Sequence, residues 1–292
     1  MGNLTINQLD NEIQQLPSLS VIVMEVLSMI EKGNVDLTVL MNKIGQDQAL
    51  AARVLKVANS PFYGFSRNIA SLKDAGIMLG IHTLQHIVTA AGIIGHFSTE
   101  RNLNFSHAAF WQHSIGTGIC AKVLARHSAL DQETAFTAGL LHDIGKLVLA
   151  VHFPNDFLRI LEYRDEHDCL LKDAEKAVLD FDHSIVGAKI TEHWKLPDLI
   201  ISSIRYHHTP DAESVLPLAG LVHIADIICR GMEIGNGGDT LIPVISSGVM
   251  EDLGLDWDAV KNSLPEIEKL NASANVLVEQ DDINTFDKCG GV

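Results

Sequence analysis

Apolar residues recur with helical period along almost the whole chain. Leu19, Ile22, Val23, Val26, Leu27 and Ile30 follow i, i+3, i+4 spacing, which lays them on one helix face, and Gly33 stands where that helix would stop. Asp36 and Asp47 are placed to cap the next two helices, the second of which carries Leu50, Val54, Leu55 and Ala58 on one face. Asn59-Ser60-Pro61 ends it, because the residue before a proline is pushed out of helical geometry. The periodicity predicts a short helix over 71–79 and a longer one over 82–97. Further helices are predicted near 105–127, 132–151, 155–166, 171–180, 183–194, 197–208, 215–232 and 257–277. Asp131 suits an N-cap and Pro197 a first helical position. Alternating runs flanked by turn residues are scarce, so the fold class read from the pattern is all-α, a multi-helix bundle.

Polarity rises at Arg101-Asn-Leu-Asn104, between two apolar helices. The organisation expected is an N-terminal helical part over 16–104, a helical core over 105–230 and a C-terminal helical extension over 231–278. A polar, glycine-bearing tail over 279–292 is expected to be disordered. No Pro/Gly/Ser-rich linker separates the parts, so they are expected to pack together.

Composition narrows the partners. The 292 residues are 47% hydrophobic and 20% charged, an ordinary soluble balance, with a formal net charge of −16. So acidic a chain repels a phosphate backbone at long range, and no nucleic-acid partner is expected. Cations gathered in one pocket would reverse the potential there, so a metal-centred phosphate site stays open. Cys120, Cys169, Cys229 and Cys289 form no C-x-x-C pair, which fits a reducing compartment. The first residues lack signal-peptide character, and Ile6 stands where myristoylation needs Ser or Thr. Gly290-Gly291-Val292 is a poor prenylation tail after Cys289. No apolar run reads as long enough to cross a bilayer. The expectation is a cytoplasmic protein with no membrane partner.

The chemistry concentrates in Gly139-Leu-Leu-His142-Asp143-Ile-Gly145-Lys146. It places an imidazole and a carboxylate side by side among Leu140, Leu141, Ile144, Leu147, Val148 and Leu149. Burying that pair is costly without compensating charge, and a metal ion is the usual compensation. Partners for such an ion stand elsewhere: His113, His183, the pair His207-His208, and Asp226 in its apolar stretch. Mixed nitrogen and oxygen donors suit iron, manganese, zinc or nickel rather than calcium. Neighbours on a helix point about 100° apart, so His142 and Asp143 cannot both aim down one face. They can share a centre if the carboxylate bridges two metals while the histidine holds one. His207-His208 precedes Thr209-Pro210, where a helix should end and both rings could turn inward. Read singly, His183 is either a ligand or a satisfied core histidine, His223 is supporting or merely core, and Lys146 is the edge of an amphipathic helix or a working group.

The order His113…His142-Asp143…Asp226 resembles the HD superfamily of metal-dependent phosphohydrolases. Leu16-Pro17-Ser18-Leu19, Leu55-Lys-Val-Ala-Asn59-Ser60-Pro-Phe-Tyr-Gly64, Ser71-Leu72 with Ala75 and Leu79-Gly80, His183-Ser-Ile-Val-Gly187, Trp194-Lys-Leu-Pro197 and His207-His208-Thr-Pro210 narrow the resemblance to its HDOD branch, over roughly residues 16–230. The resemblance implies that His113, His142, Asp143 and Asp226 hold one metal. By likeness to the HD-GYP branch, Asp143, His183, His207 and His208 would hold a second, with Lys146 assisting at the phosphate. Thr209-Pro210-Asp211-Ala212 departs from HD-GYP, which has an acidic, glycine-rich stretch ending in Gly-Tyr-Pro at that point. Asp47-Gln48 stands where HDOD sequences usually have Asp-Pro.

Two functions follow as expectations. In the first, a signalling module binds one or two divalent metals and acts through a protein partner or a nucleotide-like ligand, its input arriving in trans and homodimerisation left open. Pro61-Phe62-Tyr63-Gly64-Phe65 would then be either a docking loop or a core-anchoring turn. In the second, an active phosphohydrolase uses a metal-activated water, with Asp143 and Lys146 as catalytic residues. A purely structural metal ranks last, because so many ligands for two ions leave coordination positions open.

Overall fold

The computed structural model describes residues 4–16, 18–32, 36–60, 63–65, 68–97, 105–212, 215–238 and 241–283, and every regular element among them is an α-helix. In chain order these are α1 (Ile6–Gln15), α2 (Val21–Lys32), α3 (Leu37–Ile44), α4 (Gln48–Ala58), α5 (Leu72–Phe97), α6 (His107–Ala125), α7 (Gln132–Leu141) and α8 (Ile144–His152). They continue as α9 (Pro154–His167), α10 (Leu171–Leu179), α11 (His183–His193), α12 (Asp198–Tyr206), α13 (Pro217–Gly231), α14 (Ser247–Asp252) and α15 (Trp257–Ile283). They form two compact units, one from residues 1–18 and 100–264, the other from 19–99 and 265–292. The expected stop at Gly33, the proline of Leu16-Pro17, the polar stretch 101–104, Pro61-Phe62 and residues 284–292 lie outside the described residues.

In the second unit the predicted caps form. Asp36 accepts hydrogen bonds from the Thr38 and Val39 amides at 2.7 and 3.2 Å, and Asp47 from the Leu50 amide at 3.0 Å. Asn59 ends α4 and clasps the following loop: its amide donates to the Leu55 and Ile69 carbonyls, and its Oδ1 accepts from the Ile69 amide at 2.6 Å. Phe65 packs against Ala58, Ile69 and Ala75, so the described aromatic residue nearest Ile69 anchors the turn to a core. The two helices expected over 71–97 are α5, broken at Gly80, whose φ of 76° only glycine adopts without strain.

Several other sequence expectations change. The single helix expected over 132–151 is two, α7 and α8, because the chain leaves helical geometry at Asp143 (φ −97°, ψ 8°). Pro197 precedes α12 instead of opening it. Two helices were not foreseen, α1 and α14. The first starts with a capping box, the Gln8 amide donating to Thr5 Oγ1 and the Thr5 amide to Gln8 Oε1. The tail expected from residue 279 is helical through Ile283. The reading that no run could span a bilayer is also corrected. Leu72–Phe97 and Gln132–His152 pass by length and composition, although 83% of the second window is buried inside the protein, as in a soluble core.

Glycines decide how closely the helices of the first unit approach. A methyl group at Gly139 would lie 2.8 Å from Gly118 Cα and from the Thr117 carbonyl oxygen, so α6 and α7 touch backbone to backbone. A methyl group at Gly145 would lie 2.0 Å from the His183 carbonyl oxygen and 2.7 Å from the Gly187 nitrogen, which joins α8 to α11 equally tightly. Both contacts lie beside the candidate ligands. Gly145→Ala should therefore cost about 2–3 kcal/mol through overpacking, read as a lowered urea midpoint at unchanged m. Gly231→Ala, where an added methyl meets nothing within 4 Å, should instead stabilise by about 0.5 kcal/mol through the unfolded chain. A neutral Gly145→Ala would refute the close-approach account.

Candidate metal centre

Six helices of the first unit deliver the predicted side chains to one place. His113 comes from the middle of α6, His142 and Asp143 from the α7–α8 break, and Lys146 from the first turn of α8. His183 opens α11, His207 follows the last residue of α12 with His208 next to it, and Asp226 lies within α13. The break at Asp143 removes the geometric objection posed by adjacent helical positions: both side chains turn inward. Burial is nearly complete, with His142, Asp143, Lys146 and His207 at 0% exposure, while His208 is half-buried.

The donors fall into two groups. His113, His142 and Asp226 offer atoms within 4.8 Å of one another, and so do His183, His207 and His208. Asp143 stands between them. Its Oδ2 lies 3.2 Å from His142 Nε2 and 3.6 Å from His113 Nε2, and its Oδ1 lies 3.1 Å from His183 Nε2 and 3.8 Å from His207 Nε2. Asp226 Oδ1 is 3.0 Å from His113 Nε2 and 3.6 Å from His142 Nε2. Lys146 Nζ donates to Asp143 Oδ2 at 2.7 Å.

The outer ring nitrogens are fixed by the fold. His142 Nδ1 donates to the Gly139 carbonyl and His207 Nδ1 to the Ile204 carbonyl, each at 2.7 Å. His183 Nδ1 meets the Glu175 carboxylate at 2.6 Å, and the same carboxylate oxygen accepts the His183 amide. Each ring thus turns Nε2 inward, and that of His183 lies 2.8 Å from His208 Nε2. The Nε2 atoms of His113, His142 and His207 and Oδ1 of Asp143 are buried with no hydrogen-bond partner. Each such atom left unpaired costs about 1–3 kcal/mol, and one shared cation would satisfy several at once. The donor set fits one or two divalent transition metals and suggests metal binding.

Electrostatics agree. Burial would raise the Asp143 pKa, yet His142 and Lys146 hold it well below the usual carboxylate range. Burial would also raise Asp226, and the Arg230 guanidinium, donating to it at 2.9 Å, outweighs that. Burial opposes protonation of His142, but the adjacent Asp143 carboxylate pushes its pKa up to about 9. Burial lowers His113, and it lowers His207 to about 3 with help from His142 and His183. Burial and then His207 hold His208 well below the ordinary imidazole value. His113, His207 and His208 are thus held neutral, the form a metal requires, whereas burial opposes protonation of His183 but the Glu175 carboxylate raises its pKa.

Three contributors escaped the sequence reading. Glu175 orients His183, and its signal was an acid at the i+4 position between Leu171 and Leu179 on an apolar helix face. Arg230 stands one turn after Asp226. A glycine-rich loop over 234–238 lies against the centre. His223 is resolved as a supporting residue, since its Nδ1 donates to the His207 carbonyl at 2.8 Å. His127 and His167 stand apart, the first within 3.3 Å of Ser263 Oγ and the second stacked on Tyr163.

Known proteins share this fold. A solved HDOD domain protein of unknown function from Geobacter sulfurreducens superposes with a TM-score of 0.80 at 28% identity, covering 92% of this chain and 97% of that one. A candidate phosphohydrolase from Shewanella amazonensis SB2B shares the fold, with a TM-score of 0.76 at 24% identity over 92% and 97% of the two chains. Ribonuclease Y of Lactobacillus acidophilus is 28% identical over 61% of this chain and 27% of its own length. The chain spans less than half the length of the curated relatives it matches first. The model of the HDOD domain matches residues 16–210, well over half of the sequence, and by that match the chain belongs to the HDOD family.

Proposed function

We propose that this protein is a cytoplasmic regulatory module whose buried centre holds one or two divalent transition metals and which signals through a protein partner or a nucleotide-like ligand. The observation that supports it best is the pair of donor groups joined through Asp143, with inward Nε2 atoms that lack partners and almost no exposed surface. Such a centre is built to keep cations more than to exchange substrate freely. His113, His142 and Asp226 would hold one ion, His183, His207 and His208 the other, and Asp143 would touch both. Glu175 holds His183 in the tautomer that keeps Nε2 available.

A second reading is metal-dependent phosphoester hydrolysis, favoured by Lys146. Its ammonium lies 2.7 Å from Asp143 Oδ2, where it would meet a phosphoryl oxygen beside the cations. Metal in such a site supplies a water acidic enough to attack near neutral pH. Asp143 would orient that water and Lys146 would neutralise charge on the phosphate.

Elemental analysis of the purified protein should find divalent transition metal, and Asp143→Ala should lose it while retaining helical circular dichroism. A metal-free wild type that cannot be reconstituted with manganese, iron, zinc or nickel would overturn both readings. Glu175→Gln should weaken the second ion by roughly 10–100-fold, with the first retained, in a chelator competition. A panel of cyclic and linear nucleotides and simple phosphate esters separates the two readings. Binding without turnover is the outcome expected of a regulatory module, whereas turnover abolished by Asp143→Ala would establish the hydrolase.

A further inference from the structure

The loop over 234–238 is an irregular segment seated against the centre. It leaves α13 with the Ile234 amide bonded to the Cys229 carbonyl at 3.0 Å. Gly235 then takes a left-handed turn, φ 67°, so close to α6 that a methyl group there would lie 2.3 Å from the His113 nitrogen. The Asn236 amide donates to the Ala109 carbonyl at 3.1 Å, one turn before His113. Gly237 comes next. A methyl group on it would lie 3.0 Å from Asp143 Oδ2, 3.0 Å from His113 Cδ2 and 3.3 Å from Lys146 Nζ. These contacts are tighter than most side chains make, and the segment fills the space in front of Asp143 Oδ2 and Lys146 Nζ. The Gly238 amide donates to Asn236 Oδ1 at 2.8 Å, and the Arg164 guanidinium donates to the Gly238 carbonyl.

We infer that residues 234–238 are an intramolecular plug, a backbone segment seated on the face of Asp143, Lys146 and His113 that a phosphate-bearing ligand must occupy. Glycine at 237 is what allows the segment to sit so close. The anchors lie outside the ligand set, the Ala109 carbonyl and Arg164, while the Gly238 amide bonded to Asn236 Oδ1 closes the loop on itself. The residues on either side of Gly237 also line a cavity of about 320 Å³, together with Arg164, Asp168, Cys169 and Leu241. The loop therefore has free space beside it. Withdrawal of Gly237 opens the centre without moving a helix, and whatever releases Arg164 from Gly238 controls that withdrawal. This regulation rests on the proposed cation-holding centre only for the reading of what the plug protects.

Two measurements test it. In metal-free protein, diethyl pyrocarbonate labelling of His113 and His142 is followed by peptide mass spectrometry, with the exposed His82 as internal standard. The wild type should label both far more slowly than His82. Arg164→Ala should raise that labelling roughly tenfold, the effect of one charge-assisted hydrogen bond, with thermal midpoint and His82 rate unchanged. Asn236→Ala, which removes the hydrogen bond that closes the loop on itself, should act in the same direction. Wild-type labelling as fast as His82, or no increase in either folded variant, would overturn the plug. In metal-loaded protein the same variants should surrender metal faster to a chromophoric chelator. A chain that takes up no metal defeats the cation-holding reading, yet the labelling result still decides the plug.

Discussion

One carboxylate, that of Asp143, is shared between two groups of imidazoles, and the architecture of the first unit follows from that sharing. Each oxygen faces a different group, so the carboxylate must stand at their midpoint with none of its surface exposed. A buried negative charge in that position is tolerable only because cationic groups press on it, Lys146 directly and His142 from the side. To place it there the chain abandons the helix at Asp143. Gly139 and Gly145, on either side of the break, then let α6 and α11 close to backbone contact.

The same economy extends outward from the ligands. The Gly139, Ile204 and His207 carbonyls take up imidazole N–H groups, so helix ends left short of hydrogen bonds are completed by the very rings they orient. Glu175 does this for His183 with a charge. A metal bound at Nε2 would thus meet rings already fixed in orientation and tautomer, and little of its binding energy would go into ordering them.

Much of this was legible in the sequence, and the parts that were not share a cause. Apolar periodicity located most helices, and the residue types His113, His142, Asp143, His183, His207, His208 and Asp226 announced a shared centre. Periodicity could not reveal the break at Asp143, because the apolar residues on both sides continue the pattern across it. Its signal was conformational, not compositional. Glu175 was passed over because an acid in a helix with Lys172, Asp173 and Lys176 looks like solvated surface until its register with Leu171 and Leu179 is noticed. Helix α1 was missed although Thr5 and Gln8 spell a capping box, since only Leu9 and Ile13 of its residues are buried. The plug needed coordinates, because nothing local in Gly235-Asn236-Gly237-Gly238 distinguishes it from an ordinary turn.

Helix α1 also bears on how the chain is assembled during synthesis. It belongs to the unit that resumes only at residue 100, and it is held there through Leu4 to Asp156 and through Asp10 to Lys189 at 2.5 Å. On the ribosome it emerges ahead of the other helices of its unit and has nothing to dock on until α9 and α11 have been translated. Its apolar face, Leu9 and Ile13, must wait uncovered while the intervening helices of the other unit emerge. The capping box at Thr5 biases this segment toward helix in the meantime, which lowers the ordering left for late docking.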